Sequence, residues 1–235
     1  MIRPIILSIA SLVCLGFDHY FRITGFSVQS LVFKGCASLF FVGLVFYSFI
    51  NCKDRDAQFT KLSKFVILAL CFSFAADVML GLNEVHLMGD IAFIIGFLLF
   101  VAAHIMYLVA FSVYGKPKAS FFVAVVIMSG ALLCFARLTP WFDFEGLFPL
   151  ICVYAVILSC VVIRSLSFTE RSSLHAKLMA AGMILFGISD MLLLFWIFPK
   201  TSFPTTASSL IFIISNTCYY VGQLLAAYSI SKKYN

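Results

Sequence analysis

The stretches SFAADVML at residues 73–80 and FGISDMLL at residues 186–193 place Asp77 and Asp190 inside two long apolar runs, in similar surroundings. A carboxylate at membrane depth costs roughly 2.5–3.5 kcal/mol on insertion scales. Two carboxylates in such matching contexts indicate a functional site rather than an accident of sequence.

The composition around these stretches determines the class of protein. Of the 235 residues, 63% are hydrophobic and 11% are charged, whereas a soluble domain carries about 25% charged residues. The composition therefore excludes a soluble globule and predicts an integral, multi-pass membrane protein. The location is the inner membrane if the source is bacterial and an endomembrane if it is eukaryotic.

Apolar runs long enough to cross a bilayer, about 20 residues each, occur eight times. No soluble segment or linker separates them, so we expect one all-α polytopic bundle over residues 1–235. The first run resembles a signal peptide, but no small-x-small cleavage site follows it, and residues Asp18, His19 and Arg22 mark its end. The predicted spans are 4–20, 28–50, 65–82, 88–114, 119–137, 146–163, 178–198 and 206–230.

The basic residues predict the orientation. Loops that carry many lysines and arginines stay in the cytoplasm, so both termini are expected there. The net positive charge reflects this topology and the attraction of anionic lipid headgroups. The sequence has no basic patch interleaved with aromatic residues, so a nucleic acid partner is not expected. The basic residues on the predicted cytoplasmic side are Arg3, Lys53, Arg55, Lys61, Lys64, Lys116, Lys118, Arg164, Arg171, Lys177, Lys232 and Lys233.

Cysteine and histidine spacing gives no support for a disulfide framework or a metal site. The eight cysteines contain no C-x-x-C pair and are expected to be small buried hydrophobes. The four histidines lie on different segments, so we expect neither a metal nor an organic cofactor.

The chain shows signs of an internal repeat. Tyr107 follows Asp77 by 30 residues, and Tyr220 follows Asp190 by 30 residues, each across one loop. This spacing predicts two parallel halves of four helices, although chance similarity between apolar helices is an equal alternative.

Helix rise predicts where the charges lie. At about 1.5 Å per residue, Asp77 lies about 8 Å, Lys34 about 9 Å and Asp190 about 12 Å below the outer helix ends, with Asp90 at the mouth of helix four. These four groups are expected to cluster in the outer half of the bundle. A salt-bridge network that only holds helices together is the alternative.

Two further helix faces carry polar or aromatic side chains. Helix four has a stripe of Phe93, Phe97, Phe100, His104, Tyr107 and Phe111, and helix eight has a polar face of Asn216, Tyr219, Tyr220 and Gln223. Such stripes form helix contacts more often than substrate tunnels. His104 is expected to be a helix contact, because it lies about 20 Å from Asp90 along the axis.

These motifs, in this order, resemble the YhhN/lysoplasmalogenase family over helices two to eight. They are Val32-Phe33-Lys34, Ser73 to Asp77, Gly96 to Phe100 to His104 to Tyr107, Ser189-Asp190, and Cys218-Tyr219-Tyr220 with Gly222-Gln223. The chain has Gly35 where the family usually has proline and Ala76 where it usually has glycine. The first departure concerns the bend that this proline would give to helix two.

The resemblance implies hydrolysis of the vinyl ether of lysoplasmalogens to a fatty aldehyde and a glycerophospho-choline or -ethanolamine. Protonation of a vinyl ether gives an oxocarbenium-like centre that water attacks. The reaction therefore needs one protonated and one ionised carboxyl group, as in glycosidases. We expect Asp77 and Asp190 to be this pair, in either order.

The remaining polar residues are expected to bind a lysophospholipid. Lys34 either holds one aspartate ionised or binds the phosphate, and Asp90 and Glu84 receive the ammonium group. His104, Tyr107, Asn216, Tyr220 and Gln223 complete the predicted substrate-binding set. Ser73 and Ser189 lack the setting of a nucleophile.

Two other classes of function remain open. A transporter or proton-coupled carrier also uses intramembrane Asp and Lys, and broken helices would be its signature. A structural or receptor-like protein would leave the carboxylates without a role beyond packing.

Overall fold

Eight α-helices make up the architecture of the part of the chain that the structure describes. The computed structural model describes residues 2–52, 56–144, 146–168, 173–200 and 205–231. The predicted cytoplasmic residues Lys53, Arg55, Arg171, Lys232 and Lys233 lie outside these ranges. The helices are α1 Ile2–Ile23, α2 Ser27–Asn51, α3 Ala57–Glu84, α4 Gly89–Ser112, α5 Ala119–Leu138, α6 Phe148–Phe168, α7 Leu174–Ile197 and α8 Thr205–Ser229.

The protein is an all-α, multi-pass integral membrane protein. All eight helices are long and apolar enough to cross a bilayer. Many large apolar side chains, among them Ile50, Val126 and Leu138, point outward from the bundle. This arrangement suits a lipid surround, because lipid tails solvate such side chains as well as a protein core does.

Four helices extend three or more residues beyond their predicted spans: α1, α3, α7, and α6, which ends at Phe168 rather than near residue 163. α3 begins at Ala57 rather than near residue 65, since the Asp56 side chain accepts a hydrogen bond from Phe59 N and caps the helix. α7 begins at Leu174 rather than near residue 178, because Ser173 caps it in the same way. A hydropathy window ends where lysines begin, whereas a capped helix continues past the apolar region.

α1 also continues past its predicted end. It runs to Ile23, and Asp18, expected at a membrane boundary, is fully buried. Ser30 Oγ donates a hydrogen bond to Asp18 Oδ1 at 2.5 Å from the start of α2. The carboxylate is therefore accommodated by a partner that the α1 sequence alone does not reveal.

Helix packing follows the same order in the two halves of the chain. Sequential helices pair as α1 with α2, α3 with α4, α5 with α6 and α7 with α8. Between the halves, α2 packs on α8 and α6 packs on α4. In the predicted repeat α2 corresponds to α6 and α4 to α8, so these two contacts are equivalent to each other. α3 and α7 run unbroken through Asp77 and Asp190, unlike the broken helices expected of a transporter.

Glycines bring two helix pairs close together. A Cβ atom added at Gly96 of α4 would lie 2.9 Å from the Leu80 side chain and 3.2 Å from Leu80 N of α3. A Cβ at Gly182 of α7 would lie 2.7 Å from Gly222 O, and a Cβ at Gly222 of α8 would lie 2.7 Å from Gly182 O. Small residues at these crossings therefore set the separation of the helices.

The prediction of buried cysteines is wrong for seven of the eight. Cys52 is buried, Cys134 is exposed, and the other six are partly exposed. In a bilayer an outward thiol meets hydrocarbon rather than water, so the weakly polar cysteine side chain need not be buried.

Candidate functional site

A polar cavity of about 730 Å³ opens at the end of the bundle where α3 finishes. We call this end, which carries the α1–α2, α3–α4, α5–α6 and α7–α8 connections, the Glu84 end, and the opposite end the Lys116 end. The charged side chains that line the cavity are Lys34, Asp77, Glu84, Asp90, Asp143, Asp190 and Lys200.

Two loops form one wall of the polar cavity. Phe142 and Pro199 form an antiparallel bridge between the α5–α6 loop and the segment after α7. Asp143 N donates to Phe198 O at 3.1 Å, and Lys200 N donates to Trp141 O at 2.9 Å. This pairing places Asp143 and Lys200 at the cavity wall.

Asp77 is held by hydroxyl groups from α2 and α8. Ser38 Oγ lies 2.5 Å, Tyr219 OH 2.9 Å and Tyr220 OH 3.4 Å from Asp77 Oδ2. Tyr220 OH also lies 3.1 Å from Lys34 O. Ser38 and Tyr219 make the two shortest contacts and donate to Asp77, and Tyr220 OH also lies 2.9 Å from Ser38 Oγ. Three hydroxyl groups thus surround one oxygen of the Asp77 carboxyl group.

Asp190 is held by side chains from α4 and α6. In the predicted repeat these two helices correspond to α8 and α2, which hold Asp77. Tyr154 OH donates to Asp190 Oδ2 at 2.7 Å. His104 Nε2 lies 3.3 Å from the same oxygen. Thus each aspartate is bound by one helix of its own half and one helix of the other half.

The His104 ring fixes where a proton lies. His104 Nδ1 is 2.8 Å from Phe100 O, and a carbonyl only accepts hydrogen bonds, so Nδ1 carries a proton. Nε2 is therefore the ring nitrogen that faces Asp190 Oδ2. It makes no hydrogen bond to a described residue, so the two groups are close without being hydrogen-bonded.

Lys34 forms an ion pair with a glutamate of α3. Its Nζ lies 3.6 Å from Glu84 Oε1, and Arg22 Nη2 binds Glu84 Oε2. The ion-pair partner of Lys34 is therefore Glu84 rather than either aspartate. Glu84 is already paired with two cations, which argues against its predicted role as the receiver of an ammonium group.

Asp90 and Asn216 retain capacity for a ligand. Asp90 is exposed at the mouth of the cavity. Among the described residues, it forms no ion pair with a lysine, arginine or histidine. Asn216 is buried in the cavity wall, and its Nδ2 has no hydrogen-bond partner among the described residues. A buried donor without a partner is costly, so a bound polar group would stabilise it.

Four predicted substrate-binding residues do not line the polar cavity. His104, Tyr107, Tyr220 and Gln223 are fully buried. Tyr107 OH donates to Gln223 Oε1 at 2.6 Å, and Gln223 Nε2 donates to Ser73 Oγ at 3.3 Å. They lie deeper along α4 and α8 than the cavity lining, so they support the residues that face it.

An apolar cleft adjoins the polar cavity between α4, α6 and α7. The two voids share Leu80, Phe93, Phe100, Asp190, Leu193, Ile197 and Phe198. The cleft continues past Phe97, Leu150 and Ile151. Asp190 is the ionisable group common to both linings, so its carboxyl group lies where a polar space meets an apolar one.

A family comparison covers most of this structure. The model of the YhhN family matches residues 29–230. The chain belongs to the YhhN family. No curated protein and no solved structure matched it. The match includes α2 to α8 and hence both aspartates with all their described partners, whereas α1, which supplies Asp18 and Arg22, precedes it.

Sequence reasoning missed three partners of the charged groups. Tyr154 and Ser38 each bind an aspartate, and Arg22 binds Glu84 while its guanidinium lies 3.9 Å from the centre of the Phe212 ring. Tyr154 carried a usable signal, because a tyrosine in the middle of an apolar span needs a partner for its hydroxyl. Ser38 carried none, since serine is common in membrane helices.

Proposed function

We propose that this protein hydrolyses the vinyl ether bond of lysoplasmalogens, releasing a fatty aldehyde and a glycerophospho-choline or -ethanolamine. The observation that carries this proposal is the position of Asp190 between the polar cavity and the apolar cleft. In a lysoplasmalogen the vinyl ether lies between a polar headgroup and a hydrocarbon chain. A lipid with its headgroup in the cavity and the first carbons of its chain at the cleft, which has a volume of about 50 Å³, brings that bond to Asp190.

Asp190 is the proton donor in this proposal. The β-carbon of the vinyl ether takes the proton of the Asp190–His104 pair, the C=C double bond becomes a single bond, and the α-carbon becomes an oxocarbenium ion. The 3.3 Å contact with His104 and the Tyr154 hydrogen bond orient the Asp190 carboxyl group. A positioned acid of this kind contributes about 10²–10⁴-fold to the rate.

Asp77 is the anionic partner. Its hydrogen bonds from Ser38 and Tyr219 suit an ionised carboxylate, and it lines the same cavity. The negative charge stabilises the oxocarbenium ion. Water adds to the α-carbon and gives one proton to a carboxylate, so a hemiacetal forms. The carboxyl group that took this proton passes it to the glycerol oxygen as the bond from that oxygen to the α-carbon breaks. The hemiacetal hydroxyl gives its proton to Asp190, which restores the acid, and the aldehyde and the alcohol leave.

The headgroup is held by the remaining polar lining. Asp90 at the mouth attracts the ammonium group. Lys34 and Lys200 are the described lysines of the cavity wall and face the phosphate, and the Asn216 amide donates to a phosphate or glycerol oxygen. Two charges at opposite ends of the headgroup thus fix the lipid in one direction.

The cavity serines Ser189 and Ser215, and the buried Ser73, do not favour ester hydrolysis. Ser189 Oγ lies 3.3 Å from Ser215 Oγ, and Ser215 Oγ donates to Ser189 O at 2.9 Å. Ser73 Oγ accepts from Gln223. None of these serines has a histidine partner among the hydrogen bonds of the described residues, as an activated nucleophile requires.

The decisive experiment compares three lysolipids that share a headgroup and chain length, using purified protein. The alkenyl lipid should be cleaved with release of aldehyde. The saturated alkyl ether should not be cleaved and should inhibit competitively, because it keeps the headgroup and chain but lacks the double bond. Turnover of the acyl lipid at a comparable rate would contradict the carbon-protonation mechanism, and failure to cleave the alkenyl lipid would contradict the proposed function.

A further inference from the structure

A second, basic cavity of about 190 Å³ lies at the Lys116 end, away from both aspartates. Three cationic residues line it: Lys116, Lys118 and Arg164. Three hydroxyl side chains, Tyr114, Ser120 and Ser167, share the lining. In the part of the chain that the structure describes, no acidic residue takes part in the lining.

The packing of three helices creates the basic cavity. α5 and α4 both pack on α6, but within the described residues they do not pack on each other. The loop at residues 113–118 bridges them. Arg164 Nη2 of α6 donates to Gly115 O, which ties this loop to α6 and leaves a hollow where α4 and α5 diverge.

The floor of the basic cavity is aromatic. The Phe168 ring lies 6.0 Å from the Phe111 ring and 5.3 Å from the Tyr114 ring, measured between centroids. These packed rings give the hollow a rigid base. Its volume, roughly six times that of one liquid water molecule, is enough for a phosphate ester with little other solvent.

The start of α5 adds to the positive field. Lys118 is the N-cap residue of α5 and makes no side-chain capping hydrogen bond, and Ser120 in the first turn lines the cavity. The first N–H groups of a helix carry a partial positive charge and bind anions. A helix start and three cations around one hollow therefore produce a local field that attracts an anion.

We propose that the basic cavity binds the phosphate group of an anionic phospholipid from the adjacent leaflet. Phe122 and Val123, next to the cavity on α5, are 59% and 60% exposed. These outward side chains suit the acyl chains of a lipid whose phosphate lies at the helix end. Basic hollows between transmembrane helices recognise anionic headgroups by the same attraction. This inference does not depend on the proposed hydrolysis.

The test measures lipid binding to the full-length protein in neutral detergent, by native mass spectrometry during titration with phosphatidylglycerol or phosphatidylcholine. The unchanged protein should bind phosphatidylglycerol more tightly. K116Q/K118Q should weaken that binding roughly tenfold or more, since each lysine near an anionic surface strengthens binding about fivefold. K61Q/K64Q is the matched control, because Lys61 and Lys64 are exposed at the same end and outside the cavity.

A second variant checks the site without removing a lysine. Ser120→Glu puts a carboxylate into the cavity, while an acidic residue in the first turn of a helix favours folding. It should weaken binding of phosphatidylglycerol by at least tenfold and leave binding of phosphatidylcholine unchanged.

Three results would overturn the proposal. Equal weakening by K116Q/K118Q and K61Q/K64Q would indicate general charge attraction rather than a site. Unchanged binding in both K116Q/K118Q and Ser120→Glu would show that the cavity is not used. Full displacement of the lipid by millimolar inorganic phosphate would assign the cavity to a soluble anion instead.

Discussion

His104 Nε2 and Asp190 Oδ2 lie 3.3 Å apart, although their helices, α4 and α7, belong to different halves of the repeat. His104 Nδ1 lies 2.8 Å from Phe100 O, so Nε2 is the ring nitrogen that faces Asp190. In the proposed mechanism this pair supplies the proton that carbon protonation consumes. Asp77 has hydroxyl donors beside it instead of a histidine.

Replacing either aspartate by asparagine should reduce lysoplasmalogen hydrolysis by about 10²–10⁴-fold. In Asp190→Asn the new amide still accepts the Tyr154 hydrogen bond but has no acidic proton, and in Asp77→Asn it accepts from the hydroxyl groups but carries no charge. Aldehyde release measures the rate, and the thermal unfolding midpoint verifies folding. Asp56→Asn is the control, because asparagine also caps α3. Turnover near that of the unchanged protein in one variant would remove that aspartate from the mechanism.

Tyr154→Phe should lower kcat about tenfold and leave KM within about twofold. The variant deletes one hydrogen bond to Asp190, and such a bond contributes about 0.5–1.5 kcal/mol. Steady-state kinetics with the alkenyl lipid separate the two constants. Tyr20→Phe is the control, since Tyr20 is exposed on the outer face of α1. A higher KM with unchanged kcat would mean that Tyr154 contacts the lipid instead of orienting Asp190.

Gly222→Ala should destabilise the protein by about 1–3 kcal/mol, because the new methyl group would meet Gly182 O at 2.7 Å. Gly43→Ala, on α2, has no neighbour within 4 Å of the new Cβ and should be neutral or stabilising by up to about 1 kcal/mol. Thermal unfolding in one detergent compares them. A midpoint for Gly222→Ala at or above that of Gly43→Ala would show that α7 and α8 can move apart without cost.

The predicted orientation can be checked by thiol labelling. In a variant without native cysteines, Leu87→Cys should react with a membrane-impermeant reagent added outside intact cells, because Leu87 is 70% exposed in the α3–α4 turn at the Glu84 end. Lys118→Cys at the Lys116 end should react only after the membrane is permeabilised. The reverse pattern would place the polar cavity on the cytoplasmic side.

The eight spans were predictable because a membrane helix needs an uninterrupted apolar run, and the sequence contains eight of them. The ends of the helices were harder to predict. α3 starts at Ala57 because Asp56 caps it, and no hydropathy average registers a cap. Asp18 was predicted to lie at a membrane boundary, because its partner Ser30 lies on the next helix and the α1 sequence does not reveal it.

The site was only partly predictable. The cost of buried charge pointed to Asp77, Asp190 and Lys34, and all three line the polar cavity. His104 was predicted to be a contact between helices, and it contacts Asp190 of α7, but distance along one helix could not identify that partner. Pairing of Lys34 with Glu84 was also missed. A sequence shows which residues need partners, but tertiary packing decides which partners they obtain.

The shared position of Asp190 on two voids also concerns the fate of the products. The proposed reaction separates one amphiphile into a hydrocarbon aldehyde and a water-soluble phosphodiester. In that reaction the aldehyde would leave toward the bilayer from the apolar cleft and the phosphodiester toward water from the polar cavity. Because the two products leave for different phases, neither blocks the exit of the other. Added glycerophospho-choline should compete with the lipid, because it keeps the headgroup that the polar cavity holds; no inhibition at high concentration would contradict headgroup binding there.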